Sequence, residues 1–127
     1  MAYFVTGATG FIGRFLLAQL LEREGTIYAL CRASSLDKLD ELKTRLGADE
    51  DRIVPVIGDL SKARLGVDQE ELERLDGTIE HFFHLAAIYD LTADADSQYA
   101  ANVEGTRHAL SLAGAVHAEH FLSLIHI

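Results

Sequence analysis

A chain of 127 residues with 49% apolar content has the length and composition of one globular domain with its own core. Its formal net charge of −9 argues against a nucleic-acid surface, which needs clustered Lys and Arg, but leaves room for a local cationic pocket. The single cysteine, Cys31, excludes an internal disulfide framework, no apolar run reaches the roughly 18–20 residues of a membrane span, and no basic segment precedes the first strand, so the expected location is the cytoplasm.

The apolar run Ala2 to Val5 reads as a strand, and the apolar-periodic segment from Phe11 reads as a helix to about Glu24, stopped by Gly25. Ile12, Phe15, Leu16, Ala18 and Leu20 are expected on or near its buried side. Between strand and helix stands Thr6-Gly7-Ala8-Thr9-Gly10-Phe11-Ile12-Gly13. Glycine reaches positive φ and has no side chain, so Gly7 can make the tight turn, Gly10 can let the backbone approach a pyrophosphate, and Gly13 can let helix and strand pack closely. The first N–H groups of a helix lack internal partners, and the helix dipole favours negative charge there. Thr6, Gly7, Thr9, Gly10, Phe11, Ile12 and Gly13 are therefore candidate cofactor contacts in a phosphate cradle. Their spacing is Gly-x-x-Gly-x-x-Gly and not Gly-x-Gly-x-x-Gly, and the alternative reading is a glycine-rich turn with no ligand.

Thr26 to Cys31 has the length and composition of a buried parallel strand. Arg32 follows it, about 20 residues past the glycines, where an acid would accept from a free ribose 2′-hydroxyl and an arginine suits a 2′-phosphate. Arg32 thus favours NADP over NAD, against the alternative of an ordinary surface arginine. Ser35 to Leu46 places Leu36, Leu39, Leu42 and Leu46 along one helical stripe, ended by Gly47. Ile53 to Ile57, with Pro55 inside it, is the third strand and closes on Gly58-Asp59-Leu60, where an aspartate commonly makes a turn with its own backbone. Asp68 to Glu71 reads as a capping box opening a short helix to Leu75, with Gly77 as its stop. Ile79 to Leu85 is the fourth strand, followed by Ala86 and Ala87, small enough for the backbone to lie close to a ligand. His81 and His84, three apart in a strand, face opposite sides and are not expected to share a metal. A long helix from about Asp96 to Ala118 is expected to gather Tyr99, Asn102, Val103, Thr106, Leu110 and Ala113 on one face, and Glu119-His120-Phe121 begins a fifth strand.

The glycine string, Gly58-Asp59-Leu60, His84-Leu85-Ala86-Ala87 and Asn102-Val103-Glu104-Gly105-Thr106 together resemble an extended short-chain dehydrogenase/reductase, from Ala2 to about Phe121. The resemblance implies an α/β, Rossmann-like doubly wound parallel sheet of order 3-2-1-4-5, truncated after about the fifth strand, with its ligand at the carboxyl ends where strands 1 and 4 part. It implies that Asp59 accepts from the adenine amine, Leu60 packs on the base, Leu85, Ala86 and Ala87 pass the nicotinamide-side ribose, and Asn102 supports the neighbouring backbone at most indirectly. Tyr89 borders the site without an assigned role. Tyr3-Phe4-Val5-Thr6-Gly7, the Arg32 after Ala29-Leu30-Cys31 and the His-Leu-Ala-Ala segment are most similar to the branch that reduces acyl thioesters, fatty acyl-CoA or carrier-bound acyl chains, with NADPH. An NAD-dependent sugar-nucleotide epimerase or dehydratase, and a non-enzymatic NADP-binding regulator, are the alternatives.

That family places a catalytic Ser or Thr on the fifth strand and a Tyr-x-x-x-Lys beyond it. None of Tyr3, Tyr28, Tyr89 and Tyr99 has a Lys four residues later, so the catalytic residues are expected to be missing and the chain inactive alone. Leu122-Ser123-Leu124-Ile125-His126-Ile127 can be encoded by CTGTCTCTTATACACATC, a transposon end sequence used to prepare DNA libraries. Residues 1–121 are accordingly expected to form the nucleotide-binding domain and residues 122–127 a non-native tail, with Ser123 left unassigned.

Overall fold

The structure is a computed structural model and describes residues 2–49, 51–86 and 95–123. Its elements in chain order are β1 (Ala2–Thr6), α1 (Phe11–Leu20), β2 (Thr26–Cys31), a 3₁₀ turn (Ala33–Ser35), α2 (Leu36–Leu46), β3 (Ile53–Ile57), a second 3₁₀ turn (Ala63–Gly66), α3 (Gln69–Leu75), β4 (Ile79–His84), α4 (Ala95–Ala115) and β5 (His120–Ser123). The strands form one parallel sheet in the order β3-β2-β1-β4-β5. This is the doubly wound order expected from the motifs, and it puts Pro55 on an edge strand, where a missing N–H is tolerated.

Alternation along the strands divides the core in two. Tyr3, Val5, Ile27, Ala29 and Ile53 point to the side covered by α1 and α2, whereas Phe4, Val56 and Phe82 point to the side covered by α3, α4 and the second 3₁₀ turn, joined there by Ile79 across a register shift at the start of β4. Phe4 and Phe82 stack with ring centroids 4.7 Å apart, and Phe121 continues the stack 5.3 Å from Phe82. The same alternation separates the two strand histidines: His81 stacks on Tyr3 and His120, and His84 on Phe121.

Two helices depart from the expected faces. The first ends at Leu20, not Glu24, and Arg52 donates to the carbonyls of Arg23 and Gly25 beyond it. The residues it buries are Gly13, Leu17 and Leu20, while Ile12 is 54% and Phe15 63% exposed. Apolar residues occur nearly all round α1, so periodicity alone leaves its phase open; the close seating of Gly13 on the turn before it decides the phase. The fourth helix likewise buries Gly105, Ala109, Leu112 and Ala113, with Val116 buried just beyond it, and leaves Tyr99 and Leu110 outside.

Leu122 and Ser123 pair with Phe83 and His84 as the end of β5, so the boundary drawn after Phe121 falls inside a strand. Residues 124–127, like Ala87 and Tyr89, lie outside the described residues.

The turn before α3 is strained. Arg64 and Leu65 have φ of 52° and 58°, in the left-handed region that costs an L residue roughly 1–2 kcal/mol. Leu65 is fully buried in the core, which offsets the strain, while Arg64 is exposed. Arg64→Gly should therefore stabilise the chain by about 1 kcal/mol in urea unfolding, whereas Leu65→Ala should cost about 2–5 kcal/mol.

Candidate nucleotide-binding site

The site begins where β1 ends. Gly7 has φ of +78°, and a Cβ on it would stand 2.7 Å from the Ala86 nitrogen. Gly7 is thus required twice, by its conformation and by the segment after β4 lying against it. Gly10 donates to the Gly7 carbonyl at 3.1 Å and accepts from the Arg14 amide at 3.0 Å, so the turn passes directly into α1. A Cβ on Gly13 would meet the Gly7 oxygen at 2.0 Å and the Ala8 oxygen at 2.8 Å. Gly10 differs: a Cβ there would meet only the Gly7 oxygen, at 3.4 Å, and its φ of −75° suits any residue. The fold demands Gly7 and Gly13; Gly10 stands where protein leaves space, as a glycine facing a ligand would.

The N-terminus of α1 has no side-chain cap and no acidic residue in its first turn. The amides of Phe11, Ile12 and Gly13 therefore keep their anion-binding capacity, reinforced by the helix dipole. This fits a diphosphate.

From the turn a pocket of about 190 Å³ runs over the carboxyl ends of β1, β2 and β3. It brings together Gly7, Thr9, Arg32, Asp59, Leu60 and Ala86 from the sequence-based candidates. It adds Ala8, Leu30, Cys31, Ser35, Leu39 and Gly58. Of these, Ser35 follows Arg32 on the 3₁₀ turn, a signal present in the sequence as Arg-Ala-Ser-Ser but assigned only to a helix start. Gly58 could have been found from its place before Asp59: a Cβ on it would lie 2.4 Å from both the Leu30 Cδ1 and the Leu65 oxygen, so only glycine lets β3 leave the sheet there.

Thr6, Gly10, Phe11, Ile12, Gly13 and Leu85 do not line that pocket. Thr6 is fully buried, and its hydroxyl accepts from the amides of Leu85 and Ala86 at 3.1 and 3.2 Å. The side chains of Phe11 and Ile12 point to solvent, leaving only their backbone for a ligand. Asn102 sits half-buried on α4, away from the pocket.

Asp59 makes the turn expected of an aspartate just after a strand. Its Oδ1 accepts from the Ser61 amide at 2.9 Å and the Ser61 hydroxyl at 2.8 Å, and its own amide donates to the Leu65 carbonyl at 2.6 Å. The Ser61 bonds, helped by the nearby positive charges of Arg32 and Lys62, hold the carboxyl below its usual range. Because the folded value is lowered, the turn's contribution is present above the unfolded pKa of about 4 and is lost as pH falls through the folded one. At neutral pH Asp59 is an ionised acceptor in the pocket wall. Burial, followed by the Asp40 charge, raises the Cys31 thiol, which stays protonated and poorly nucleophilic.

Residues 5–126 match the NAD-binding family described as Male sterility protein. The chain belongs to this family. A linear gramicidin synthase of Brevibacillus parabrevis is 37% identical over 98% of the chain, and a putative fatty acyl-CoA reductase of Drosophila melanogaster is 32% identical over 86% of it. The terminal R domain from the myxalamid PKS-NRPS biosynthetic pathway superposes over 96% of the chain with a TM-score of 0.77 and 34% identity. The chain spans 3% and 24% of those two curated relatives and 33% of the R domain. These matches agree with the resemblance carried by the glycine turn and the His-Leu-Ala-Ala segment, and the chain is the nucleotide-binding portion of the family's fold.

Gly13→Ala should lower the unfolding free energy by about 3 kcal/mol, because the colliding atoms are backbone and cannot move aside. Gly10→Ala should cost under about 1 kcal/mol, the usual difference at a helix N-cap. Urea denaturation of the two variants makes the comparison.

Proposed function

We propose that this chain is the NADP-binding part of an oxidoreductase that reduces acyl thioesters, fatty acyl-CoA or carrier-bound acyl chains, with NADPH. The observation that carries the cofactor reading is Arg32, which lines the pocket together with Ser35 and faces Asp59 across it. A guanidinium is the side chain best matched to a phosphate, binding two oxygens at once, and an acid is absent from the place after β2 where a free 2′-hydroxyl would be met. Thioester reduction is supported by the names of two relatives, a fatty acyl-CoA reductase and a terminal R domain, together with the motifs quoted above.

Each residue has a stated task. The amides at the start of α1 hold the diphosphate, with Gly10 leaving it room, and Thr9 borders the same space. Arg32 and Ser35 take the 2′-phosphate. Asp59 accepts from the adenine amine, Leu60 packs on the base, and Leu85 and Ala86 present backbone to the nicotinamide-side ribose. When bound, NADPH supplies a hydride to the thioester carbonyl. The chain has no Tyr-x-x-x-Lys to manage the accompanying proton, so by itself it binds nucleotide without turnover.

Fluorescence titration of the purified chain tests this reading. NADPH should bind at least tenfold more tightly than NADH, Arg32→Asp should abolish or reverse the preference, and Gly10→Ala should weaken both nucleotides about tenfold while the fold persists. A chain that prefers NADH, or an Arg32→Asp variant with unchanged selectivity, removes the NADP assignment.

A further inference from the structure

One buried imidazole lies beneath the pocket, outside the set of groups that would touch a nucleotide. His84 ends β4 and is 1% exposed; Thr6 ends β1 and is 0% exposed. They are register partners in the parallel pair, with Thr6 Oγ1 2.7 Å from His84 Nδ1. The same Oγ1 accepts from the Leu85 and Ala86 amides. A hydroxyl has one proton and two lone pairs. The Leu85 amide is shared with the Thr6 carbonyl, also 3.1 Å away, and with its lone pairs facing the two amides the hydroxyl is oriented to donate its proton to Nδ1.

We propose that His84 is a positioning residue for the cofactor site: by accepting the Thr6 proton it aims both lone pairs of that hydroxyl at the Leu85 and Ala86 amides, and so sets the gap between the glycine turn and the segment after β4. The proposal deepens the nucleotide-binding reading and rests on it. The gap matters because Gly7 and Ala86 both line the pocket and already approach within the reach of a single Cβ. Phe121 of β5 stacks on the imidazole with centroids 6.3 Å apart and helps keep the ring in plane with its partner. Without an acceptor the Thr6 proton must turn elsewhere, the hydroxyl rotates, and the Ala86 amide loses its partner, while the Leu85 amide keeps the Thr6 carbonyl.

His84→Phe keeps the ring and removes the acceptor, whereas His84→Asn returns an acceptor oxygen close to the place of Nδ1. In the 127-residue chain, two quantities are measured for each variant: NADPH affinity by titration, and hydrogen exchange of the Leu85 and Ala86 amides by NMR. His84→Phe should weaken NADPH about tenfold and accelerate exchange at the Ala86 amide, with the Leu85 amide held by the Thr6 carbonyl as the internal reference, while His84→Asn stays within about twofold of the parent in affinity and exchange. Thr6→Val should match His84→Phe, and the double variant should be no worse than either single one. Wild-type behaviour of His84→Phe, or equal losses in the Phe and Asn variants, overturns the proposal. Should His84→Phe fail to fold, Thr6→Val against Thr6→Ser makes the same comparison from the other partner. If the parent chain binds no NADPH, the cofactor reading fails, and the exchange data still decide the clasp.

Discussion

The start of α1 rests on the carbonyl oxygens of the turn that precedes it. A single methyl group at Gly13 would stand 2.0 Å from the Gly7 oxygen, closer than any side chain can come. That contact sets the rotation of α1, puts Leu17 and Leu20 against the sheet, and turns Phe11, Ile12 and Phe15 outward. It also brings the unpartnered amides of the helix to the carboxyl end of β1, where the sheet's strand order changes direction. An anion-binding point and a crevice coincide because one packing contact produces both.

The opposite wall of the crevice depends on a second tight place. Gly58 lets β3 leave the sheet against Leu30 and Leu65, and the left-handed turn at Arg64 and Leu65 returns a carbonyl to the Asp59 amide. Local strain there is balanced by burying Leu65 in the core on the α4 side. Asp59 is consequently held from its backbone and its carboxylate alike, leaving it charged and oriented near Arg32. A wall built this way does not wait for a ligand to order it.

Between the two walls the carboxyl ends of β1 and β4 are joined by side-chain chemistry as well as by the ladder. The Thr6 hydroxyl accepts from two amides of the neighbouring segment and is hydrogen-bonded to His84, so a polar cluster with satisfied partners lies in the sheet's interior. The buried side-chain polar atoms among the described residues all have partners.

The order of elements, the parallel sheet and the place of the glycine turn were legible in the sequence, because glycine spacing, short β-branched runs and helix stop signals are local properties that do not require the rest of the molecule. Arg32 and Asp59 were legible for the same reason: each follows directly on a strand, and strand ends in this topology converge. Which face α1 and α4 bury was decided only by the tertiary structure, whereas the leucine stripe of α2 was legible beforehand. Apolar residues lie on more than one side of α1, so the backbone approach at Gly13 settled what hydrophobicity left open, and the small residues that α4 buries carry little periodic signal. The inward role of Thr6, its bond to His84 and the entry of Ser35 and Gly58 into the pocket wall depend on contacts between residues far apart in the chain, and no pattern along the chain encodes them.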